Sequence, residues 1–110
     1  MVDARLPTNR SAWRDERYVE RQPVRLPIRV TSAMMGDVPG ILLNVSVLGV
    51  HISTPFALQH GADATINVHG EAAQSCRVAW SVYGFAGLQF ITPLSEATVA
   101  HIVHISNHQR

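Results

Sequence analysis

The chain has 110 residues, 46% hydrophobic and 15% charged; that is one domain with one core, and it excludes a disordered chain. There is no apolar run long enough for a membrane helix, no apolar leader of the secretory kind, and with Cys76 as the single cysteine no internal disulfide, so a cytoplasmic protein is expected. The net charge of +1 hides an asymmetry, because all nine basic residues are arginine, and seven of them stand in the first thirty residues against four acids, a formal +3 there.

Residues 1–15 are polar and irregular and predict a flexible N-terminal arm. The folded domain is expected over 16–106, with a short tail at 107–110. Arg14, Arg17 and Arg21 have helical spacing, but Pro23 ends any helix there. The exclusive use of arginine matters, because a guanidinium fork binds phosphate with two hydrogen bonds and stacks on flat rings, as an ammonium group cannot.

From Val24 the period becomes two. Val24, Leu26, Ile28 and Val30 alternate with Arg25, Pro27, Arg29 and Thr31, which predicts a strand with one buried face. Pro27 suggests an edge or a bulge. After a turn at Gly36-Asp37, Ile41, Leu43 and Val45 are expected on the buried face of a second strand. Val50 and Ile52 continue a third after Gly49. Pro55 breaks it, and His60 to Asp63 read as a loop. Ala64, Ile66 and Val68 form a fourth strand. Gly70-Glu71 leads into a fifth, with Cys76, Val78, Trp80 and Val82 on one face. Tyr83-Gly84 turns the chain into a sixth, with Ala86, Leu88 and Phe90 inward. Ser95 is a fitting N-cap for a short helix with Val99, Ile102 and Val103 as its apolar stripe. Six short strands predict an all-β fold, a six-stranded antiparallel barrel, since closure removes exposed edges, with one C-terminal α-helix at one end or on the outside.

Little here supports catalysis. No carboxylate pair falls on inward strand positions, and no GxxxxGK loop is present. Cys76 reads as inert core. His101, His104 and His108 could share a helix face, but no carboxylate or cysteine beside them completes a metal site, so they read as solvated. Asn44-Val45-Ser46-Val47-Leu48-Gly49 says more. Asn44 and Ser46 are two apart and are expected on one side of the strand, a polar shelf beside a turn in which Gly49 takes positive φ and lets another backbone come close.

Arg17-Tyr18-Val19-Glu20-Arg21 fits RxxxR, and Asn44 to Gly49 fits [D/N]xSxxG. Both in this order, with one strand and a turn between them, resemble the PilZ domain, the bacterial receptor module for cyclic di-GMP. The run Arg21 to Val30 is similar to that family's approach to its first strand. Arg77-Val78-Ala79-Trp80 and Gly87-Leu88-Gln89-Phe90 are similar to its last two. The resemblance covers roughly residues 16–105. It implies a PilZ-like barrel that is not an enzyme, needs no cofactor and no metal, and binds cyclic di-GMP through Arg17, Arg21, Asn44, Ser46 and Gly49. Arg21 and Arg25 also fit RxxxR, but the alternation puts Arg25 within the first strand, whereas the family's pair precedes it. The expected partner is an effector protein that reads the ligand-bound surface, with no nucleic acid and no membrane insertion. The alternative is a PilZ-like adaptor that has lost the nucleotide and acts by protein–protein contact, for example in pilus or motility machinery.

Overall fold

The computed structural model describes residues 20–108. Its strands are β1 (Gln22–Ser32), β2 (Gly36–Val45), β3 (Gly49–Ser53), β4 (Asp63–Val68), β5 (Gln74–Val82) and β6 (Phe85–Phe90), followed by helix α1 (Glu96–Asn107). The strands pair antiparallel in the order β1-β2-β3-β6-β5-β4, and β4 closes onto β1. The expected closed six-stranded barrel with a C-terminal helix is therefore what the chain forms.

The alternation of β1 puts Leu26, Ile28 and Val30 into the core and leaves Arg25, Pro27 and Arg29 outside. Pro27 has no N–H to give a ladder, and β4 pairs with β1 only from Ile28 onward, so the proline stands where one side of the strand is still an edge. Ala64, Ile66 and Val68 of β4 and Ala86, Leu88 and Phe90 of β6 are buried as the alternation predicts.

Two strands depart from strict alternation, each for the same reason. In β2 the buried residues are Val38, Gly40, Leu42 and Val45, while Ile41 and Leu43 are only half-buried. In β5 Cys76 and Val78 are buried, but Trp80 and Val82 turn outward. The pairing shifts between Leu42 and Asn44 against β3, and between Val78 and Trp80 against β6. One extra residue in each strand, Leu43 and Ala79, makes a bulge that reverses which face the following side chain joins.

Helix α1 begins at Ser95, whose side chain accepts a hydrogen bond from the Thr98 N–H at 3.0 Å. Val99 and Ile102 enter the same apolar cluster as the barrel interior, with Val103 packed beside them. The helix lies across the end of the barrel where β1 begins and β2 and β4 finish. Leu94 N–H donates to the Val47 carbonyl at 2.8 Å, Arg25 N–H donates to Ser106 Oγ at 2.9 Å, and His101 pairs with Glu71. Cys76 belongs to the core, and burial pushes its thiol pKa up to about 12. The opposite end carries Leu58 as an internal cover and exposed Met34, Phe56, Tyr83 and Phe85 around it.

The β5–β6 connection has positive φ at both central residues, 47° at Tyr83 and 86° at Gly84, the type I′ geometry that matches strand twist. A tyrosine pays sterically for that backbone, and its side chain is 97% exposed and gains little in return. Tyr83→Asn is expected to stabilise the fold by about 0.5–1 kcal/mol, read as a higher urea midpoint with an unchanged slope.

Candidate functional site

The two bulges lie at the same level of the barrel, and together they create its most distinctive outer feature. Pro23 of β1 pairs with Asn44 of β2, Asn44 with His51 of β3, His51 with Gly87 of β6, and Gly87 with Trp80 of β5. These residues form one row across five strands. Without the extra Leu43 and Ala79, Asn44 and Trp80 would point into the core. A Cβ on Gly87 would lie closer than 3.0 Å to the Trp80 indole, so the missing side chain is what lets the ring lie against the wall. His51 meets that ring edge-on, with centroids 5.4 Å apart and planes at 69°.

Arg21, just before β1, joins this row. Its Nη1 donates to Asn44 Oδ1 at 3.4 Å, and Asn44 Nδ2 stands 3.0 Å from His51 Nδ1. The second arginine of RxxxR and the first residue of NxSxxG are thus brought into contact across 23 positions of sequence. Arg21, His51, Trp80 and Gly87 line one shallow depression. This combination of a guanidinium, an amide, an imidazole and a 39% exposed indole suits a flat, polar-edged, anionic ligand. Arg29 and Arg77 are instead engaged on the surface with Asp37 at 3.1 Å and Asp63 at 3.2 Å. A larger groove, about 590 Å³, runs between the residues leading into β1 and helix α1. Its described lining includes Glu20, Glu96, Val47, Val99 and Val103.

Ser46 and Gly49 are placed differently from expectation. Ser46 does not share a shelf with Asn44: it is buried, and its hydroxyl accepts from Leu48 N–H at 3.1 Å and Gly49 N–H at 3.2 Å while lying 3.4 Å from the Gly49 carbonyl. The bulge is the cause, since Asn44 is turned outward and the chain then enters a tight turn closed by Ser46 N–H to Gly49 O at 2.9 Å. Gly49 does not have positive φ. Its need for glycine comes from β6, because a Cβ there would collide with the Leu88 carbonyl oxygen. Both residues shape the turn that presents Asn44. Ser46→Ala leaves two N–H groups without their acceptor, and a loss of about 1–3 kcal/mol of folding stability is expected, measurable by urea unfolding.

Arg17 and the arm predicted over 1–15 lie outside the described residues, as does the end of the tail. In the helix, His101 is engaged with Glu71, and His104 and His108 stack with ring centroids 4.2 Å apart. Among the described residues no group of three or more histidine, cysteine or acidic side chains could hold a metal, and no helix there is long and apolar enough to cross a membrane. Trp80, Gly87 and His51 were not singled out from sequence. The signal lay in the pairing of a tryptophan with a glycine on the neighbouring strand, and it becomes visible only when the bulge is known.

No curated protein matches the chain. Among solved structures it resembles the crystal structure of the PilZ domain of CeSA from a cellulose-synthesising bacterium, with a TM-score of 0.56 and 20% sequence identity over 78% of this chain and 92% of that one. This likeness bears on the fold. Sequence membership rests on the family model described as the PilZ domain, which matches residues 8–108 and so takes in both motifs, all six strands and the helix, and the chain belongs to the PilZ domain family.

Proposed function

We propose that this protein binds cyclic di-GMP on the outer wall of its barrel and passes the signal to a partner protein, without catalysing a reaction. PilZ domains are a family known for cyclic di-GMP binding and act as receptors and adaptors rather than enzymes. The observation that carries the reading here is the contact between Arg21 and Asn44, which joins the two motifs beside the exposed face of Trp80. Arg17 and Arg21 supply forks that grip a phosphate, donate to the O6 and N7 acceptors of guanine, or stack on its face. Asn44 offers an amide to a base edge. Ser46 and Gly49 hold the turn from which Asn44 projects, and Trp80 provides a flat surface for a base.

Calorimetric titration of the full chain tests this. Cyclic di-GMP is expected to bind in the micromolar range or tighter, about −8 kcal/mol. Cyclic di-AMP is expected to bind far more weakly, because adenine presents an amino donor where guanine presents O6. Equal affinity for the two ligands would remove the guanine-reading role. A well-folded protein that binds neither would leave the adaptor function in its place.

A further inference from the structure

The short lead into β1 divides two surfaces. Arg21 lines the depression on the outer wall, while Glu20 and Gln22 on either side of it line the groove against α1, as alternation in an extended chain requires. The NxSxxG segment is divided in the same way, with Asn44 in contact with Arg21 and Val47 in the groove. From α1 come Glu96, Val99, Ala100 and Val103, spaced i, i+3, i+4 and i+7 on one helix face. Val99 is buried, Val47 and Val103 are half-buried, and Glu20 and Glu96 are exposed. An apolar strip set between carboxylates takes an apolar side chain that has cations beside it. The chain ahead of Glu20 carries such a segment. Residues 5–14, RLPTNRSAWR, hold three arginines and no acid, and Trp13 stands between Arg10 and Arg14.

We propose that Trp13 seats its indole in this groove, with Arg10 and Arg14 toward Glu96 and Glu20, and that it is thereby a positioning residue for Arg17. The part concerning Arg17 rests on the proposed role of Arg17 and Arg21 in nucleotide binding; the seating of Trp13 does not. Three observations favour the chain's own segment over a foreign one. The family match begins at residue 8, so Trp13 belongs to the stretch that the domain itself comprises. Trp13 is seven residues from Glu20, a reach of at most roughly 25 Å, so the tether starts at the groove and keeps the indole at high local concentration there. A groove of about 590 Å³ has room for an indole and for the stems of the flanking arginines. Arg17 stands four residues after Trp13 and four before Arg21. With Trp13 held on one side of the lead and Arg21 on the other, Arg17 lies midway along a chain pinned at both ends. Less of its freedom is then left to lose when nucleotide binds.

Nuclear Overhauser contacts in the full chain without ligand read the seating directly. The Trp13 indole protons are expected to show contacts to the methyl groups of Val99, Ala100 and Val103. Trp80→Phe leaves Trp13 as the only tryptophan of the chain, and its emission is expected to be blue-shifted and shielded from acrylamide. Ala100→Arg, at an exposed helix position, is expected to unshield it while the protein stays folded. A fully quenched Trp13 with no contact to α1, the outcome that a flexible arm predicts, would overturn the proposal and leave the groove to a segment of the effector. Contacts that arise only between molecules in a mixture of labelled and unlabelled chains would overturn it in favour of a second copy. For binding, Trp13→Ala is expected to weaken cyclic di-GMP affinity about tenfold, and Trp13→Phe to restore most of that loss. In an Arg17→Ala background Trp13→Ala is expected to cost nothing further; an equal loss with and without Arg17 would overturn the positioning role. Failure of the wild type to bind cyclic di-GMP would instead remove the proposed function, and the contacts and the quenching would still decide where Trp13 sits.

Discussion

Arg21→Ala is expected to cost about 2–4 kcal/mol of cyclic di-GMP binding, a loss of roughly thirty- to a thousand-fold. The size follows from the chemistry of the contact. A charge-assisted bond from a guanidinium is about twice as strong as a neutral one, and the fork makes two such bonds to a phosphate or to a guanine edge. Folding stability is expected to change little, because Arg21 precedes β1 and is only half-buried. Arg25→Ala provides the internal control. Arg25 lies within β1 with its side chain exposed, and its backbone N–H, which the substitution keeps, is what ties it to Ser106. Its effect on binding is expected to be much smaller. Affinities and thermal melts of the two variants decide the matter together. If Arg25→Ala abolishes binding while Arg21→Ala leaves it untouched, the working motif runs from Arg21 to Arg25, and the Arg21–Asn44 contact is only structural.

Alternation made much of this barrel legible in advance. Leu26, Ile28 and Val30 in β1, and Ala86, Leu88 and Phe90 in β6, face the core because nothing interrupts their two-residue period. The helix start at Ser95 was legible because a serine followed three positions later by a free N–H is a local device that needs no tertiary information. What alternation could not show was the pair of bulges. Leu43 and Ala79 are ordinary strand residues in composition, and each bulge exists because of what the neighbouring strand does. The candidate site was half legible for the same reason. Its motif residues Arg21 and Asn44 could be named, but Trp80 follows Cys76 and Val78 at even spacing and so reads as core. Only the shift at Ala79 and the empty position at Gly87 move the indole to the wall. The role of Ser46 was hidden too, since its hydroxyl is used within three residues of itself, in a turn whose closure the motif does not spell out.

Gly49→Ala is expected to be the most damaging single-atom change in the NxSxxG segment, costing about 3 kcal/mol of folding stability or more. The added Cβ meets the Leu88 carbonyl oxygen and presses on Gln89 Cα at 3.3 Å. These are backbone atoms, and they cannot swing away as a side chain can. β6 is held on both sides, because Leu88 pairs with Val50 of β3 and with Val78 of β5. To admit a methyl group, β3 and β6 must separate at the end of the barrel, where Phe90 N–H also donates to the Leu48 carbonyl at 2.8 Å. For a domain of this size about 3 kcal/mol lowers the melting temperature by roughly 10–20 °C. Ligand binding is expected to fall as well, because the turn that projects Asn44 loses its support. The same variant separates two roles for the glycine. If its open backbone served chiefly to let a ligand come close, Gly49→Ala would keep the wild-type melt and lose only cyclic di-GMP binding. A lowered melt measured without ligand places the requirement in the packing of β3 on β6, and makes the glycine of this motif a support of the site and not a contact.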